Sequence, residues 1–292
     1  MILLLTTADT EILAAAGALE RLPPEFPAVR CDNPARSQDP GALLDEVLPG
    51  ARMVVVRLLG GRRAWPGGLD ELSRRCAAGG VPLLALGGEA EPDAELTGLS
   101  TVPAGVVAEA FEYLRHGGVE NTAQLLRFLA DTVLLEGFGF EPPVSIPDFG
   151  LYAPGHGDVS LEQAVAGHDP DRPTVAAVFY RTHRIAGNTG FVDALMEALE
   201  AAGANPLALW CYSLRADRRG RVEALEPLRG RVDALVATVL ASGGSNAGDA
   251  LADLDVPVIQ GICATVPRAR WAASDAGLPP LDAAMQVAIP EF

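Results

Sequence analysis

Residues 174–203 read TVAAVFYRTHRIAGNTGFVDALMEALEAAG and contain three segments of different character. The first seven residues form an almost continuous apolar run, which is typical of a parallel strand buried on both faces. The last segment repeats large apolar side chains on one helical stripe, namely Phe191, Val192, Leu195, Met196 and Leu199. A basic turn with glycine and asparagine separates the two. The stretch therefore predicts a strand, a turn and a helix, which together are the building unit of an α/β sheet.

The same alternation of apolar runs and amphipathic segments recurs along the chain. It predicts strands at 2–5, 53–59 and 81–87, with a weaker one near Val29, and again at 206–212, 233–239 and 256–262. Strands that alternate with helices imply right-handed crossovers and parallel pairing. We therefore predict an α/β protein with two tandem Rossmann-like or flavodoxin-like domains, whose sheets are mostly parallel.

The boundary between the two domains is predicted from a change of composition. Residues 137–157 read GFGFEPPVSIPDFGLYAPGHG, and AGHDPDRP follows at 166–173. A Pro/Gly-rich stretch of this length is uncommon inside a compact domain. We predict an N-terminal α/β domain at 1–141, a linker at 142–173 and a second α/β domain at 174–292. The apolar ending VAIPEF predicts that the second domain is truncated at its C-terminus.

The charge of the chain excludes several classes of function. The net charge is −16, and all 22 basic residues are arginine. A nucleic-acid partner is not expected, because the chain lacks the basic stripe that binds phosphates. Without lysine, the chain supplies neither the P-loop lysine that reaches ATP phosphates nor a Schiff-base amine.

The remaining composition predicts a cytoplasmic protein without a membrane partner. The N-terminus MILLLTTADT has no basic region before its short apolar run, and no run approaches the length of a membrane span. The four cysteines form no CxxC pair, which suits a reducing cytosol. No second His or Cys lies at ligand spacing from His183, so no metal site is predicted.

The first candidate site is the basic turn after the strand at 174–180, since ligands of open α/β sheets gather at the carboxyl ends of strands. Its candidate residues are Arg181, His183, Arg184, Gly187, Asn188 and Thr189. Gly187 permits close backbone approach, and Asn188 or Thr189 is expected to cap the following helix. The arrangement suits a carboxylate or a phosphate. The alternative, which spacing alone favours, is a capped helix with solvated arginines.

Two further loops follow predicted strands. GGRRAW at 60–65 places Arg62, Arg63 and Trp65 beside a glycine turn, where an aromatic ring and guanidinium groups suit a flat anionic ligand. The equally weighted alternative is a surface turn with Trp65 packed as a helix staple. Tyr212 and Ser213 form the third loop. These patterns identify no reaction and no catalytic residue.

Several long blocks carry a resemblance to a known family. They read VVVRLLGGRRAWPGGLDEL, LLRFLADTVLLEGFGFEPP, VFYRTHRIAGNTGFVDALMEALEAAG, LDVPVIQGI and PLDAAMQVAIPEF. These blocks resemble the N-terminal portion of the large, CobN-type subunit of aerobic cobaltochelatase, which is related to the large subunit of magnesium chelatase. The resemblance extends through essentially the whole chain.

The resemblance implies a multi-subunit enzyme that inserts Co²⁺, its substrate, into the corrin hydrogenobyrinic acid a,c-diamide during cobalamin biosynthesis. It also implies two smaller AAA+ motor subunits, which would bind ATP and Mg²⁺ in place of this lysine-free chain. The family's subunit is several times longer than this chain. The catalytic residues are therefore expected beyond residue 292, and this fragment alone is expected to be inactive.

Two alternatives remain open at this point. One is the large subunit of magnesium chelatase, an enzyme that inserts Mg²⁺ into protoporphyrin IX. The segments FYRTHRIAGNT and CYSLR, however, favour the cobalt enzyme. The other is a non-catalytic module, in which two α/β lobes bind a ligand or dock a partner protein.

Overall fold

The computed structural model describes residues 1–89, 91–214, 216–217, 220–239, 251, 254–261, 263–264, 266, 268–278 and 283. The chain forms two compact units, each with its own sheet. The first contains Met1–Ile146 and Ile185–Asn188, and the second contains Pro147–Arg184 and Thr189–Phe292. Within the described residues, every helix is too short or too polar to span a lipid bilayer.

The first unit is built on a four-stranded parallel sheet in the order β2-β1-β3-β4. Its strands are β1 (Ile2–Thr6), β2 (Val29–Asp32), β3 (Met53–Leu58) and β4 (Leu83–Gly87). Its helices are α1 (Asp9–Leu19), α2 (Pro40–Val47), α3 (Gly68–Gly79), α4 (Ala94–Thr97), α5 (Ala104–His116) and α6 (Gly118–Thr132), with short 3-10 helices at Pro34–Arg36 and Gly61–Ala64. This strand order is flavodoxin-like, because the chain adds β2 on one side of β1 and then β3 on the other.

Both faces of the first sheet are buried, which explains the continuous apolar runs of its sequence. Leu3, Leu5 and Val56 lie in a core shared with α2 and α3. Leu4 and Val55, which alternate with them, lie in a core shared with α1, α5 and α6. The prediction of parallel strands covered by helices on both faces is confirmed for this unit.

The outer edge of β4 is closed by two hydroxyl side chains. The Thr101 hydroxyl accepts a hydrogen bond from the Leu83 amide at 2.9 Å, and the Thr101 amide donates to the Leu83 carbonyl at 2.8 Å. The Ser100 hydroxyl accepts from the Ala85 amide at 2.9 Å and donates to the Ala85 carbonyl at 3.3 Å. These bonds occupy backbone groups that would otherwise be available to pair with a strand of another molecule.

Residues 137–144 form a strap that is held to α6 by side chains. The Asp131 carboxylate accepts hydrogen bonds from the three successive amides of 137–139, at distances from 2.6 to 2.9 Å. The Asn121 side chain donates to the Val144 carbonyl at 2.9 Å and accepts from its amide at 2.8 Å. The strap therefore belongs to the first unit.

The second unit is built on a six-stranded sheet in the order β10-β9-β7-β8-β5-β6. Its strands are β5 (Phe149–Ala153), β6 (Gly157–Val159), β7 (Thr174–Tyr180), β8 (Asn205–Cys211), β9 (Ala234–Ala237) and β10 (Val258–Gln260). The described helices are α7 (Leu161–Val165), α8 (Arg181–Ile185), α9 (Gly190–Ala201) and α10 (Arg268–Ala272), with a 3-10 helix at Glu223–Leu228. Strands β7 to β10 are parallel, whereas β5 and β6 pair antiparallel. The predicted α/β fold with mostly parallel sheets is confirmed.

The stretch at 142–173, expected to be a linker, carries secondary structure of the second unit. It contains β5, β6 and α7, and β5 pairs antiparallel with β8. The sequence does not reveal these strands, because they are short and contain glycine within a run rich in proline and glycine. Ser160 and Gln163 form a capping box at the start of α7.

Candidate functional site

The carboxyl ends of β7, β8, β9 and β10 lie along one edge of the second sheet, because these strands are parallel. The chain leaves β7 toward β8 and later returns to β9 on the other side of β7. Ligands of open α/β sheets bind outside the carboxyl ends at such a reversal. We call the residues at these four strand ends, together with Asp148 before β5, the carboxyl edge. The predicted turn at 181–189 begins there.

Arg181 connects three strand ends at the carboxyl edge. It begins α8 and is 7% exposed. Its Nη1 atom donates to the Pro147 carbonyl at 3.2 Å and forms an ion pair with Asp148 at 3.3 Å. Its guanidinium carbon lies 4.8 Å from the centre of the Tyr212 ring, which is a cation–π geometry. Arg181 therefore joins the ends of β7 and β8 to the start of β5, and its charge already faces a carboxylate.

Two groups in contact with Arg181 are exposed, an aromatic ring and a carboxylate. Tyr212 is 47% exposed, the Asp148 side chain is 80% exposed, and Ser213 is exposed beside them in the chain. Such a ring can contact the face of a flat ligand, and the carboxylate can accept hydrogen bonds from its rim. Arg181 and Tyr212, which the sequence predicts separately, are thus in contact. Asp148 was missed, because it lies in the expected linker.

Arg184 is bonded to the hairpin of β5 and β6. Its Nε atom donates to the Asp158 carboxylate at 2.8 Å, and the Trp210 indole donates to the same oxygen at 3.0 Å. Its guanidinium carbon lies 5.7 Å from the centre of the Tyr152 ring. Arg184 therefore ties α8 to the hairpin. Neither Arg181 nor Arg184 is a freely solvated side chain.

The start of α9 is occupied by groups of the protein itself. The sequence predicts that Asn188 or Thr189 caps α9. Thr189 lies at the N-cap position, but its hydroxyl makes no cap hydrogen bond. That hydroxyl lies 3.1 Å from the Tyr152 hydroxyl, which donates to the Asp193 carboxylate at 2.7 Å. Burial raises the pKa of the Tyr152 phenol. Because Asp193 places a carboxylate in the first turn of α9, this helix end disfavours a second anion.

His183 and the glycine turn complete the predicted loop. The half-buried His183 ring packs edge-to-face on Phe191, with 5.0 Å between ring centres. Burial lowers the pKa of His183, so its imidazole is neutral at pH 7. Gly187 has a φ of +72°, the left-handed conformation that favours glycine, and Asn188 is exposed. In the described part of the chain, no three His, Cys, Asp or Glu side chains lie together as a metal site requires.

Lowering the pH below about 6.5 is expected to destabilise the second unit through His183. Burial depresses the pKa of this histidine in the folded protein, so the unfolded chain binds the proton first as the pH falls. The stability that His183 contributes is therefore fully present above about pH 6.5 and is lost as the pH falls through the folded-state pKa. Urea unfolding between about pH 8 and about pH 5 measures this contribution.

His183→Phe should reduce that pH dependence, whereas His156→Gln serves as the control, because His156 is exposed. Equal pH dependence in the wild type and in His183→Phe would contradict the assignment.

The candidate arginines of the first unit lie after β3. The glycine turn at 60–61 forms as predicted, with φ angles of +85° and +67°. Arg62 pairs with Glu95 at 2.8 Å and also with Asp70, and the hydrogen bond with Glu95 is the main cause that raises the pKa of Arg62. Arg63 is exposed. The turn therefore presents one arginine in surface ion pairs and one exposed arginine.

Trp65 lies in the core of the first unit. It is 2% exposed and shares a hydrophobic cluster with Leu69 and Leu96. Its ring also lies directly against Gly68, where an added Cβ atom would collide with it. This position agrees with the packed alternative for Trp65, and its ring face is not open to a flat ligand.

Arg57 is the polar centre of the first unit and was not predicted from the sequence. This residue of β3 is 6% exposed, and its Nη1 atom forms an ion pair with Glu11 of α1 at 2.6 Å. Its guanidinium also donates to the Leu114 carbonyl at 2.7 Å and to both carbonyls of 87–88 at 3.3 Å. The Thr6 hydroxyl donates to the second oxygen of Glu11 at 2.5 Å. The available signal was an arginine inside an otherwise apolar run, since a buried charge requires a partner.

The strand order of the first sheet reverses between β1 and β3, where a ligand site is also expected. At this place the Thr7 hydroxyl accepts a hydrogen bond from the Leu59 amide at 2.8 Å, which joins the two loops directly. The Arg57–Glu11 pair lies at the same strand ends, with its groups bonded to one another and to the backbone. We therefore place the candidate site in the second unit.

The chain is similar to proteins of one family. A family model described as CobN/Magnesium Chelatase matches residues 111–292. The aerobic cobaltochelatase subunit CobN of Pseudomonas aeruginosa is 34% identical over 299 residues, which cover 100% of this chain and 24% of that protein. A magnesium-chelatase subunit of Rhodobacter capsulatus is 27% identical over 197 residues, which cover 62% of this chain and 16% of that protein.

A solved structure gives a similar result. The catalytic subunit of cobaltochelatase from Mycobacterium tuberculosis is 43% identical and superposes with a TM-score of 0.66, covering 100% of this chain and 24% of that chain. The chain thus spans about a quarter of the length of the cobaltochelatase proteins that it matches.

Proposed function

Because this chain belongs to the CobN/magnesium chelatase family, we propose that it forms the N-terminal part of the large, tetrapyrrole-binding subunit of an ATP-dependent cobaltochelatase. The proposed reaction inserts Co²⁺, as substrate, into hydrogenobyrinic acid a,c-diamide during cobalamin biosynthesis. The observation that carries this proposal is similarity over the whole chain to a CobN subunit and to a cobaltochelatase catalytic subunit, at 34% and 43% identity.

Cobalt is favoured over magnesium by the extent of the similarity. The CobN subunit of Pseudomonas aeruginosa aligns with 100% of this chain, whereas the magnesium-chelatase subunit of Rhodobacter capsulatus aligns with 62% at lower identity. A magnesium chelatase subunit is therefore the second candidate. We further propose that ATP and Mg²⁺ bind to two smaller AAA+ subunits. The 292 residues of this chain contain no lysine and therefore no P-loop lysine, which agrees with that proposal.

In tetrapyrrole binding, the proposed role of this chain is to contact one side of the macrocycle with its carboxyl edge. The exposed Tyr212 ring, backed by the Arg181 guanidinium, would contact the face of the macrocycle. The exposed Asp148 carboxylate would accept a hydrogen bond from its rim. A rim carboxylate would have to displace Asp148 from Arg181, so uncharged rim groups fit this arrangement better.

Titration of the full-length subunit with hydrogenobyrinic acid a,c-diamide and with protoporphyrin IX, followed by absorbance, tests the proposal. The corrin is expected to bind more tightly. Tyr212→Ala should weaken corrin binding by about threefold to tenfold, because an aromatic contact of this kind contributes about 0.5–1.5 kcal/mol. Phe140→Ala, which removes a similarly exposed aromatic side chain from the first unit, is the control.

Tighter binding of protoporphyrin IX would favour the magnesium chelatase assignment. Binding of neither ring would contradict both chelatase assignments and favour a partner-docking module.

A further inference from the structure

Helix α1 buries its small side chains and exposes its leucines. All of its buried residues are alanine, whereas Leu13 and Leu19 are 45% and 41% exposed. Ala16, between the two leucines, is also exposed. Residues three apart in a helix lie on the same side, so Leu13, Ala16 and Leu19 form one surface, which we call the leucine face.

The packing of α1 explains why its outer side is apolar. Glu11, the only charged residue of α1 after its first position, turns inward and pairs with Arg57 at 2.6 Å. Gly17 lies against α6, where an added Cβ atom would be 3.1 Å from Cγ2 of Val119. After Glu11 the helix reads ILAAAGAL, so it has no polar side chain left for its outer side.

The other long helices of the first unit have charged outer sides. Their exposed charged residues include Asp45 and Glu46 of α2, Arg74 of α3, Arg115 of α5 and Glu120 of α6. A helix that is apolar all round is normally buried all round. The leucine face is therefore the surface of this unit that resembles an uncovered core.

Ion pairs border the leucine face at both ends. Asp9 pairs with Arg36 at 2.7 Å at the start of α1, and Arg21 pairs with Glu120 at 2.6 Å just after its end. An apolar centre with a polar rim is the usual anatomy of a protein interface. Ala16 lies at the middle of this surface, where a small side chain allows a second helix to approach between the two leucines.

We propose that the leucine face packs against a helix of the large subunit that lies beyond residue 292. The inference rests on the proposed function, in which this chain is the N-terminal part of that subunit. The chain covers only 24% of each matched cobaltochelatase protein, so most of the subunit is available to cover this face. A permanent contact within one subunit also fits its apolar character better than a transient partner does, because permanent interfaces are the more hydrophobic ones.

Cysteine labelling of the full-length subunit tests this inference. Ala16→Cys and Ala108→Cys each place a thiol at an exposed helical position of the first unit. Reaction with a maleimide is followed by mass spectrometry of the labelled peptide, which separates each new thiol from the native cysteines. Ala16→Cys is expected to react at least about tenfold more slowly than Ala108→Cys, because a covered thiol is not accessible to the reagent. Equal rates would overturn the inference.

A charged variant tests whether the cover depends on apolar contact. Ala16→Arg places a guanidinium in the leucine face and should raise the labelling rate of Leu13→Cys by about tenfold. Ala108→Arg is the matched control, because each new arginine has a glutamate four residues later, Glu20 or Glu112. The control should leave the rate unchanged. The same rate in both variants would contradict the proposed contact.

Two further conditions identify what covers the leucine face. Protection of Ala16→Cys that is lost on dilution would assign the face to a second copy of the subunit. Protection that requires the two smaller subunits would assign it to one of them, and either result would overturn the inference. These measurements need no tetrapyrrole, so their outcome is independent of the corrin titration that tests the proposed function.

Discussion

Replacing Arg57 by alanine is expected to lower the free energy of unfolding of the first unit by about 3–5 kcal/mol. The substitution leaves the Glu11 carboxylate, whose side chain is 19% exposed, without its ion-pair partner. It also removes the donors to the Leu114 carbonyl and to the carbonyls of 87–88. Urea unfolding of the chain measures the loss, and hydrogen exchange of the β1 and β3 amides assigns it to the first unit.

Two further variants interpret the Arg57 result. Arg63→Ala removes an exposed arginine a few residues later and should change stability by less than about 0.5 kcal/mol. Arg57→Met combined with Glu11→Leu replaces the whole pair by apolar side chains and should recover much of the loss, since the penalty arises from one unpaired buried charge. A loss below about 1 kcal/mol in Arg57→Ala would show that the pair does not stabilise the unit.

The parallel strands were predictable because burial on both faces requires a nearly continuous run of apolar residues. The runs at 2–5, 53–59 and 174–180 correspond to β1, β3 and β7 within one or two residues. Such runs arise wherever helices cover both sides of a sheet. This part of the fold needs no knowledge of distant contacts.

The antiparallel strands were not predictable, and Gly150 shows why. This glycine of β5 lies opposite Trp210 in the register of β5 and β8. It is needed there because the Trp210 indole lies across β5 and donates to Asp158 of β6. In the sequence, the same glycine belongs to a Pro/Gly-rich stretch typical of a loop. Gly150 thus allows β5 to pair with β8, and the same glycine makes the β5 sequence resemble a loop.

The sequence predicts the strand end at which Arg181 lies, but it does not predict the bonding of the side chains there. Arg181 stands at a strand end, as the sequence indicates, yet its carboxylate partner Asp148 lies 33 residues earlier in the chain. The partner of Arg184, Asp158, lies 26 residues earlier. Sequence spacing reveals pairs within a helix or a turn, but it cannot reveal pairs that only the sheet brings together.

The second large effect is expected at Gly150, beside the candidate site. A Cβ atom at this position would lie 2.6 Å from Cζ2 of Trp210, which is closer than van der Waals contact. Gly150→Val is therefore expected to cost about 3 kcal/mol and to break the hydrogen bond from the Trp210 indole to Asp158. Because Asp158 also holds Arg184, the substitution should loosen α8 at the carboxyl edge.

A double-mutant cycle distinguishes the clash from a simple loss of backbone freedom. Trp210→Ala alone is expected to cost about 3–5 kcal/mol, since it empties a buried site. In the Gly150→Val background the same change also removes the clash, so the two costs should fall short of additivity by more than about 1 kcal/mol. Gly190→Ala is the matched control, because an added Cβ meets no atom within 4 Å there. Additive costs at Gly150 and Trp210, or an equal loss in Gly190→Ala, would assign the effect to the backbone rather than to the indole that lies across β5.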